Sequence, residues 1–483
     1  MTYYAYHAIT SIQNSQKKDW FREYTLKVKR SKDTTNYLNW DDITHYVVIP
    51  NYKENMSVLC ETIGAIAASS LAQTHIIVVL AMEEREQAED KVRQLLQRYE
   101  GKFKGMLVNY HPSNLPGEMP GKSSNEAHAF RKAVVPDVRR RQLRTENVCV
   151  SICDADSVHH IKHFEVLNFK YCTDPHRHTR VYQAPMVNFL NFDTVPAATR
   201  LMSTVVTMHE LSHLYNYKKN EVLPFSTYSM SFNCARDVGG WDGDCVAEDW
   251  HQFLKCFFHY GDKMRVEALP HPVLCYAVEG DTYWGSLKDR FEQAKRHALA
   301  LIEIPYVLNK IVGTFNGNVR PSLTRTISLG IKVIWPHYIG VAHLFLIVYT
   351  PLIIFLYNSA WAPYWIDAQE IATINTTWNF IFQVISVLSF ITGPLAMSIN
   401  AHRIAIFVKG QELNKWWKVL QYVFDWATIA TITNLFYAMI PSFIASTKMI
   451  YKQEFQYICA TKPEALTPMT PLSVDDVFAV VIE

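Results

Sequence analysis

Short apolar runs alternate with longer amphipathic segments in the first third of the chain. Four runs have the length and composition of buried strands: Tyr46–Ile49, Ile76–Leu80, Met106–Asn109 and Val148–Cys153. Helical patterns at Val58–Ser70 and Glu83–Tyr99 separate the first three runs. Strands that alternate with helices usually form parallel sheets, so we predict an α/β fold with a largely parallel sheet. Ligands of such sheets bind at the carboxyl ends of the strands.

The pattern changes near residue 325. Three uncharged apolar runs follow, at 338–357, 377–399 and 426–445. A helix needs about 20 apolar residues to cross a bilayer, so these runs predict about three transmembrane helices. Two amphipathic stretches, 299–312 and 412–426, fit helices in the headgroup layer or ordinary surface helices.

The charged residues between the spans predict the orientation of the chain. The first connector carries Asp367 and Glu370, whereas the second carries Arg403, Lys409 and Lys415. Positive loops favour the cytosolic side, which predicts an integral membrane protein whose region 1–325 is cytosolic. The predicted divisions are an N-terminal segment (1–40), an α/β domain (41–297), interfacial helices (298–337), a transmembrane region (338–447) and a tail (448–483).

Composition excludes two classes of protein. The 483 residues carry a formal net charge of +2, which argues against a nucleic-acid partner. The nine cysteines include no C-x-x-C pair, which argues against a disulfide scaffold or a structural zinc site. We therefore expect reduced thiols in a cytosolic compartment.

An acidic motif follows the fourth strand run. Asp154-Ala155-Asp156 directly succeeds Val148–Cys153. In an extended chain, residues two apart point the same way, so both carboxylates could hold Mg²⁺ or Mn²⁺ against a diphosphate. A second D-x-D, Asp242-Gly243-Asp244, does not close a hydrophobic strand. We therefore expect the first motif to be the metal site.

Three further motifs could act on a phosphorylated substrate. Glu248-Asp249 could supply a general base. Gln293 and Arg296 share a predicted helix face, from which an arginine can grip phosphate oxygens. Lys122, beside the turn residue Gly121, is a fair phosphate contact.

A competing motif is His209-Glu210-Leu211-Ser212-His213, which matches the H-E-x-x-H helix of zinc proteases. A catalytic zinc site needs a third ligand, and Glu221 is the nearest acid downstream. The alternatives are a structural helix or a helix whose polar face borders the substrate cleft.

The order of these motifs resembles that of membrane-integrated family 2 glycosyltransferases, which include the cellulose, chitin and hyaluronan synthases. The resemblance covers His45 to His297. Its pieces are Pro50-Asn51-Tyr52-Lys53-Glu54, Gly121-Lys122, Asp154-Ala155-Asp156, Val238-Gly239-Gly240-Trp241-Asp242, Glu248-Asp249 and Gln293-x-x-Arg296-His297.

The resemblance implies a GT-A-like mixed sheet flanked by helices, with Mn²⁺ or Mg²⁺ as cofactor. It implies donor contacts from Pro50, Tyr52, Glu54, Glu83, Lys122, Asp154, Gln293 and Arg296. It implies a metal site at Asp156 and Asp154, catalysis by Asp249 with Glu248, and an acceptor side formed by Gly240, Trp241, Asp242 and His297. Two departures matter: Leu80-Ala81-Met82 precedes Glu83 where the family has an acidic pair, and His297 replaces a tryptophan.

The function expected from this resemblance is inverting transfer of a sugar from a UDP-sugar to a growing β-linked polysaccharide. A single addition to a lipid or small acceptor is the first alternative, and a membrane zinc protease built on the His209–His213 motif is the second. The lipid bilayer and a saccharide or lipid acceptor are the expected partners, and assembly into a homo-oligomer stays open.

Overall fold

A computed structural model describes residues 2–216, 222–315, 321–356, 368–409 and 416–451. Glu221, Asp367, Lys415 and most of the predicted tail lie outside these ranges. The strands are β1 (Thr44–Asn51), β2 (Ile76–Glu83), β3 (Gly105–His111), β4 (Val148–Ile152), β5 (Val158–His159), β6 (Arg180–Gln183), β7 (Met186–Val187), β8 (Tyr228–Ser231), β9 (Arg265–Ala268) and β10 (Val273–Leu274).

Seven of these strands form one mixed sheet in the order β3-β2-β1-β4-β8-β6-β9. The first four strands are parallel, as the sequence predicts, with Val47 of β1 paired to Val78 and Ser151. β8 runs antiparallel to both of its neighbours, so the sheet is mixed. A second sheet, β5-β10-β7, lies beside it.

The helices cover both faces of the main sheet and extend beyond it. They are α1 (Thr2–Gln16), α2 (Trp20–Arg30), α3 (Met56–Ala67), α4 (Ala72–His75), α5 (Glu89–Arg98), α6 (Lys122–Ala129), α7 (Val135–Arg140), α8 (His163–Thr173), α9 (Ala197–Asn216), α10 (Phe232–Asp237), α11 (Glu248–Tyr260), α12 (Tyr283–Ala298), α13 (Glu303–Phe315), α14 (Leu323–Leu356), α15 (Ala368–Lys409), α16 (Trp417–Asn434) and α17 (Ile440–Ile450).

β1 is buried along its whole length because helices pack on both of its faces. Val47 and Ile49 point into a core shared with α3, α5 and α8. Tyr46 and Val48 point into the opposite core, shared with α6 and α11. This double burial explains why the strand has no polar alternation in its centre.

The N-terminal segment is part of the folded body. One face of α1, including Ala8 and Ile9, is buried against α9 and α15. The face of α13 that carries Val307 joins the core beneath α11. Both helices are therefore docked on the catalytic region along their apolar sides.

Two helical stretches in the described ranges are long and apolar enough to cross a membrane, Leu323–Leu346 and Trp417–Ile450. They overlap the predicted spans 338–357 and 426–445, and the second also takes in most of the predicted interfacial stretch 412–426. The predicted span 377–399 lies inside α15. The finding is two candidate helices rather than the predicted three, and length and composition are its only basis.

Candidate active site

A cavity of about 630 Å³ opens where β1, β2 and β4 end. This position is the carboxyl edge of the parallel strands, where α/β sheets bind their ligands. Twelve residues predicted from the sequence line it: Pro50, Tyr52, Glu54, Glu83, Lys122, Asp154, Asp156, Glu248, Asp249, Gln293, Arg296 and His297. The fold thus brings residues from five of the six motifs, together with Glu83, to one cavity.

Lys122 is the centre of an ion-pair network in this cavity. Its ammonium lies 2.7 Å from Asp154 Oδ1, 2.6 Å from Glu248 Oε1 and 3.6 Å from Glu126 Oε1. It also donates a hydrogen bond to the carbonyl of Ser226 at 2.9 Å. Lys122 is the first residue of α6, so the glycine turn before this helix aims the side chain across the cavity.

The network contains more negative than positive charge. Burial opposes the charge on Lys122, but Asp154, Glu248 and Glu126 together raise its pKa well above the ordinary value. Glu126 is fully buried, and burial raises its pKa well above the usual range. The sequence analysis missed Glu126, although its place one helical turn after Lys122 was a usable sign.

The D-x-D motif is a turn, which corrects the extended conformation assumed from the sequence. β4 ends at Ile152, and the Ser157 amide donates to the Asp154 carbonyl at 3.0 Å. Asp154 and Asp156 nevertheless both line the cavity. Two carboxylates beside a network with excess negative charge form a donor set that suits a hard divalent cation such as Mn²⁺ or Mg²⁺.

Glu248 and Asp249 are the first two residues of α11. Carboxylates are stabilised at a helix N-terminus by its partial positive charge. Burial, and next the adjacent Glu248, raise the pKa of Asp249 well above its ordinary range. A carboxyl group with a raised pKa is a stronger base than an exposed aspartate, as a general base requires.

α12 presents a polar face to the cavity. Arg290, Gln293, Arg296 and His297 all line it, and the Arg290 guanidinium donates to the side-chain oxygen of Gln293. Burial lowers the pKa of Arg290 to about 10, so its side chain stays charged at neutral pH. Arg290 was missed in the sequence analysis, although it lies three residues before Gln293 on the same helix face.

The end of β1 forms a second rim of the cavity. The Arg85 guanidinium lies 4.1 Å from the ring centroid of Tyr52. Glu86 Oε2 accepts hydrogen bonds from the Asn51 side chain at 3.0 Å and from the Lys53 amide at 2.8 Å. Lys53 has a positive φ of 58°, which these bonds help to hold. Arg85 and Glu86 thus position the motif that contains Tyr52.

Glu83 is the last residue of β2, since the strand continues three residues beyond the predicted end at Leu80. Its buried carboxylate lies 3.3 Å from both Arg85 Nε and His111 Nδ1. The intervening Leu80-Ala81-Met82 therefore lengthens the strand and leaves the acid at its carboxyl end.

Three predicted acceptor-side residues, Gly240, Trp241 and Asp242, lie outside the lining of the cavity. Gly240 has a φ of +79°, and a Cβ there would be 2.7 Å from Phe130 Cδ1, so only glycine fits the turn. Trp241 is buried and donates to the Tyr228 hydroxyl at 2.7 Å. Asp242 pairs with Lys255 at 2.8 Å. Of the four predicted acceptor-side residues, His297 lines the cavity.

The H-E-x-x-H motif borders the same cavity. Glu210 lines it and is 2% exposed, whereas His209 projects outward. The ligand atoms of His209, Glu210 and His213 all lie within 4.8 Å of one another. The cluster therefore has a geometry that could hold a metal ion, in the wall of a polar cavity.

The mixed sheet flanked by helices, with a polar cavity at its carboxyl edge, defines a GT-A-like α/β glycosyltransferase fold. The chain belongs to glycosyltransferase-like family 2, since residues 44–294, just over half of its length, match that family. The narrower subtype of cellulose, chitin and hyaluronan synthases is not part of this match.

No curated protein matches the chain. Among solved structures, the mannosyltransferase PcManGT from Pyrobaculum calidifontis, in complex with GDP-Man and Mn²⁺, has 11% identity. That alignment covers 94% of this chain and 99% of the other, with a TM-score of 0.43. Residues 1–349 of S. aureus TarS have 11% identity, covering 86% of this chain and 93% of theirs, with a TM-score of 0.35. Scores of this size carry no argument about donor, acceptor or metal.

Proposed function

We propose that this protein is a membrane-bound, metal-dependent, inverting glycosyltransferase. It transfers a hexose from a UDP-sugar to a growing β-linked polysaccharide, with its catalytic region on the cytosolic side. The observation that carries the proposal is the shared cavity. Groups able to hold a diphosphate, a divalent cation and an acceptor hydroxyl all line one space of about 630 Å³.

The chemistry is one displacement at the anomeric carbon. The acceptor oxygen forms a bond to this carbon as the bond to the diphosphate oxygen breaks, and UDP leaves with the electron pair. Asp249 takes the proton of the acceptor hydroxyl, for which its raised pKa is suited. Attack from the face opposite to the leaving group inverts the centre, so an α-linked donor gives a β-glycoside.

Cationic side chains of this chain stabilise the negative charge of the departing diphosphate. Arg296 and Arg290 of α12 and Lys122 of α6 all line the cavity. Preorganised positive charge stabilises the additional negative charge that develops on the leaving diphosphate more than it stabilises the intact donor. Lys122 also holds Glu248 and Asp154 in place before the donor binds.

Asp154 and Asp156 would hold Mn²⁺ or Mg²⁺, because carboxylate oxygens are the preferred ligands of both ions. When bound, such an ion would supply neutralising charge to the diphosphate. Asp156 is buried and Asp154 is partly exposed, so the pair lies at the edge of the cavity.

The membrane part of the proposal is supported by the exposure of the two candidate helices. Only 28% and 22% of their most apolar windows are buried within the protein. Trp416 and Trp417 are exposed at 74% and 47% where α16 begins. Exposed tryptophan at the end of an apolar helix suits the membrane interface.

UDP release tests the donor and base assignments. Purified full-length protein is incubated with a panel of UDP-sugars and Mn²⁺, and products are sized. We expect release with one sugar, a loss of about 100-fold or more in Asp249→Asn, and near-normal rates in Asp244→Asn. Asp244 is the matched control because it is an exposed aspartate of the second D-x-D motif. Normal transfer by Asp249→Asn would refute the base.

Product length separates the polymer synthase from its alternative. A ladder or high polymer supports polysaccharide synthesis. One added sugar on a lipid or small acceptor would replace that part of the proposal, and it would leave the cavity chemistry unchanged.

A further inference from the structure

The H-E-x-x-H motif in α9 has no role in the sugar transfer described above. Successive helical residues are about 100° apart, so His209, Glu210 and His213 occupy an arc of about 100° on one helix face. Their ligand atoms lie within 4.8 Å of one another. Two imidazoles and a carboxylate at such separations are a common donor set for zinc.

Two buried atoms of this cluster lack hydrogen-bond partners within the described part of the chain. They are Glu210 Oε2 and His213 Nδ1. An unpaired buried polar atom is costly, and most buried polar groups in folded proteins are satisfied. A bound cation would give both the carboxylate oxygen of Glu210 and the imidazole nitrogen of His213 a partner.

We propose that His209, Glu210 and His213 bind one divalent transition-metal ion, with Zn²⁺ as its best representative, in the wall of the active-site cavity. This site is separate from the carboxylate pair Asp154 and Asp156. Imidazole favours Zn²⁺, whereas an all-oxygen set favours Mn²⁺ and Mg²⁺. The two sites are therefore expected to select different ions.

Three protein ligands leave a fourth coordination position on zinc. Glu210 lines the cavity, so the ion would lie at the cavity wall. The rings of both histidines pack on Phe225, with centroids 5.9 Å and 5.6 Å away. Ser226, the next residue, accepts the hydrogen bond of Lys122. An ion on α9 would thus stiffen the segment that borders the Lys122 network.

Metal binding to full-length protein tests the site without any sugar donor, so its outcome is independent of the transferase proposal. Chelator-treated protein is dialysed against micromolar Zn²⁺, metal content is measured, and Co²⁺ is substituted to record its visible absorption. We expect one zinc per chain. His209→Ala and His213→Ala should each weaken binding at least about tenfold.

Two controls decide the assignment. His176→Ala removes an exposed histidine elsewhere and should leave zinc binding unchanged. Asp156→Asn should also retain the zinc. Because His209 is exposed, its variant should fold even if His213→Ala does not. The proposal would be overturned if the wild type bound no zinc. It would also be overturned if zinc binding persisted in His209→Ala and was lost in Asp156→Asn.

Discussion

Replacement of Lys122 by methionine should destabilise the protein in a manner that depends strongly on pH. The ammonium lies 2.7 Å from Asp154 and 2.6 Å from Glu248. At an effective dielectric constant of about 20, each contact corresponds to a gross attraction of about 6 kcal/mol. The variant can avoid most of this loss by protonating one more carboxyl group. The expected loss in the free energy of unfolding is therefore equal to the free energy of that protonation.

That free energy follows from the pH. A carboxyl group with an unfolded pKa of about 4.3 costs about 4 kcal/mol to protonate at pH 7 and about 1 kcal/mol at pH 5. Over this range the folded Lys122→Met variant binds one proton more than the folded wild type, whereas the two unfolded chains bind the same number at their carboxyl groups, so the stability of the variant relative to the wild type falls as the pH rises. The difference from the wild type should therefore be large at pH 7 and small at pH 5.

Thermal unfolding of the purified protein at both pH values measures this difference. At roughly 2 °C per kcal/mol, the variant should unfold about 8 °C below the wild type at pH 7 and about 2 °C below it at pH 5. Lys170→Met is the matched control, because Lys170 pairs with the single carboxylate of Glu267 near the surface. Its cost should be at most about 1 kcal/mol. An equal deficit of Lys122→Met at both pH values would refute the reasoning.

Three further changes should have measurable effects. Gly240→Ala places a Cβ 2.7 Å from Phe130 at a φ of +79°, and should lower the unfolding temperature by an amount equivalent to about 1–3 kcal/mol. Asp425→Asn breaks the buried pair with Arg200, whose guanidinium is 2.6 Å from the carboxylate; we expect a loss of about 3–5 kcal/mol and easier proteolysis between α9 and α16. Arg290→Gln removes a buried charge from the cavity and should raise the KM for the UDP-sugar about tenfold in steady-state kinetics, with the unfolding temperature as the check on folding.

The buried strands were predictable because their apolar runs are local. β1 and β2 begin within two residues of the predicted positions, and both are continuous hydrophobic segments. β6 and β8 were not predicted. Each has four residues and contains polar side chains such as Tyr182 and Ser229 that are buried by the neighbouring strands. Their pairing is a product of tertiary contacts and has no local pattern.

The candidate site was predictable residue by residue where a motif follows a strand or begins a helix. Asp154, Lys122 and Asp249 occupy such places, and each lines the cavity. Gly240 and Trp241 show the limit of the method. The spacing of Gly239-Gly240-Trp241 is the same whether the tripeptide contacts a ligand or forms a buried turn, so only the packing of Trp241 distinguishes the two.

The sequence alone determined the α/β class, the order of the acidic and basic motifs, and the change to long apolar helices, since all three depend on composition and short-range spacing. The tertiary structure decided which groups share an electrostatic environment. Glu126 and Glu248 are 122 positions apart in the chain, yet both act on Lys122. Such proximity depends on how helices stack on a sheet, and burial then sets the pKa of each group.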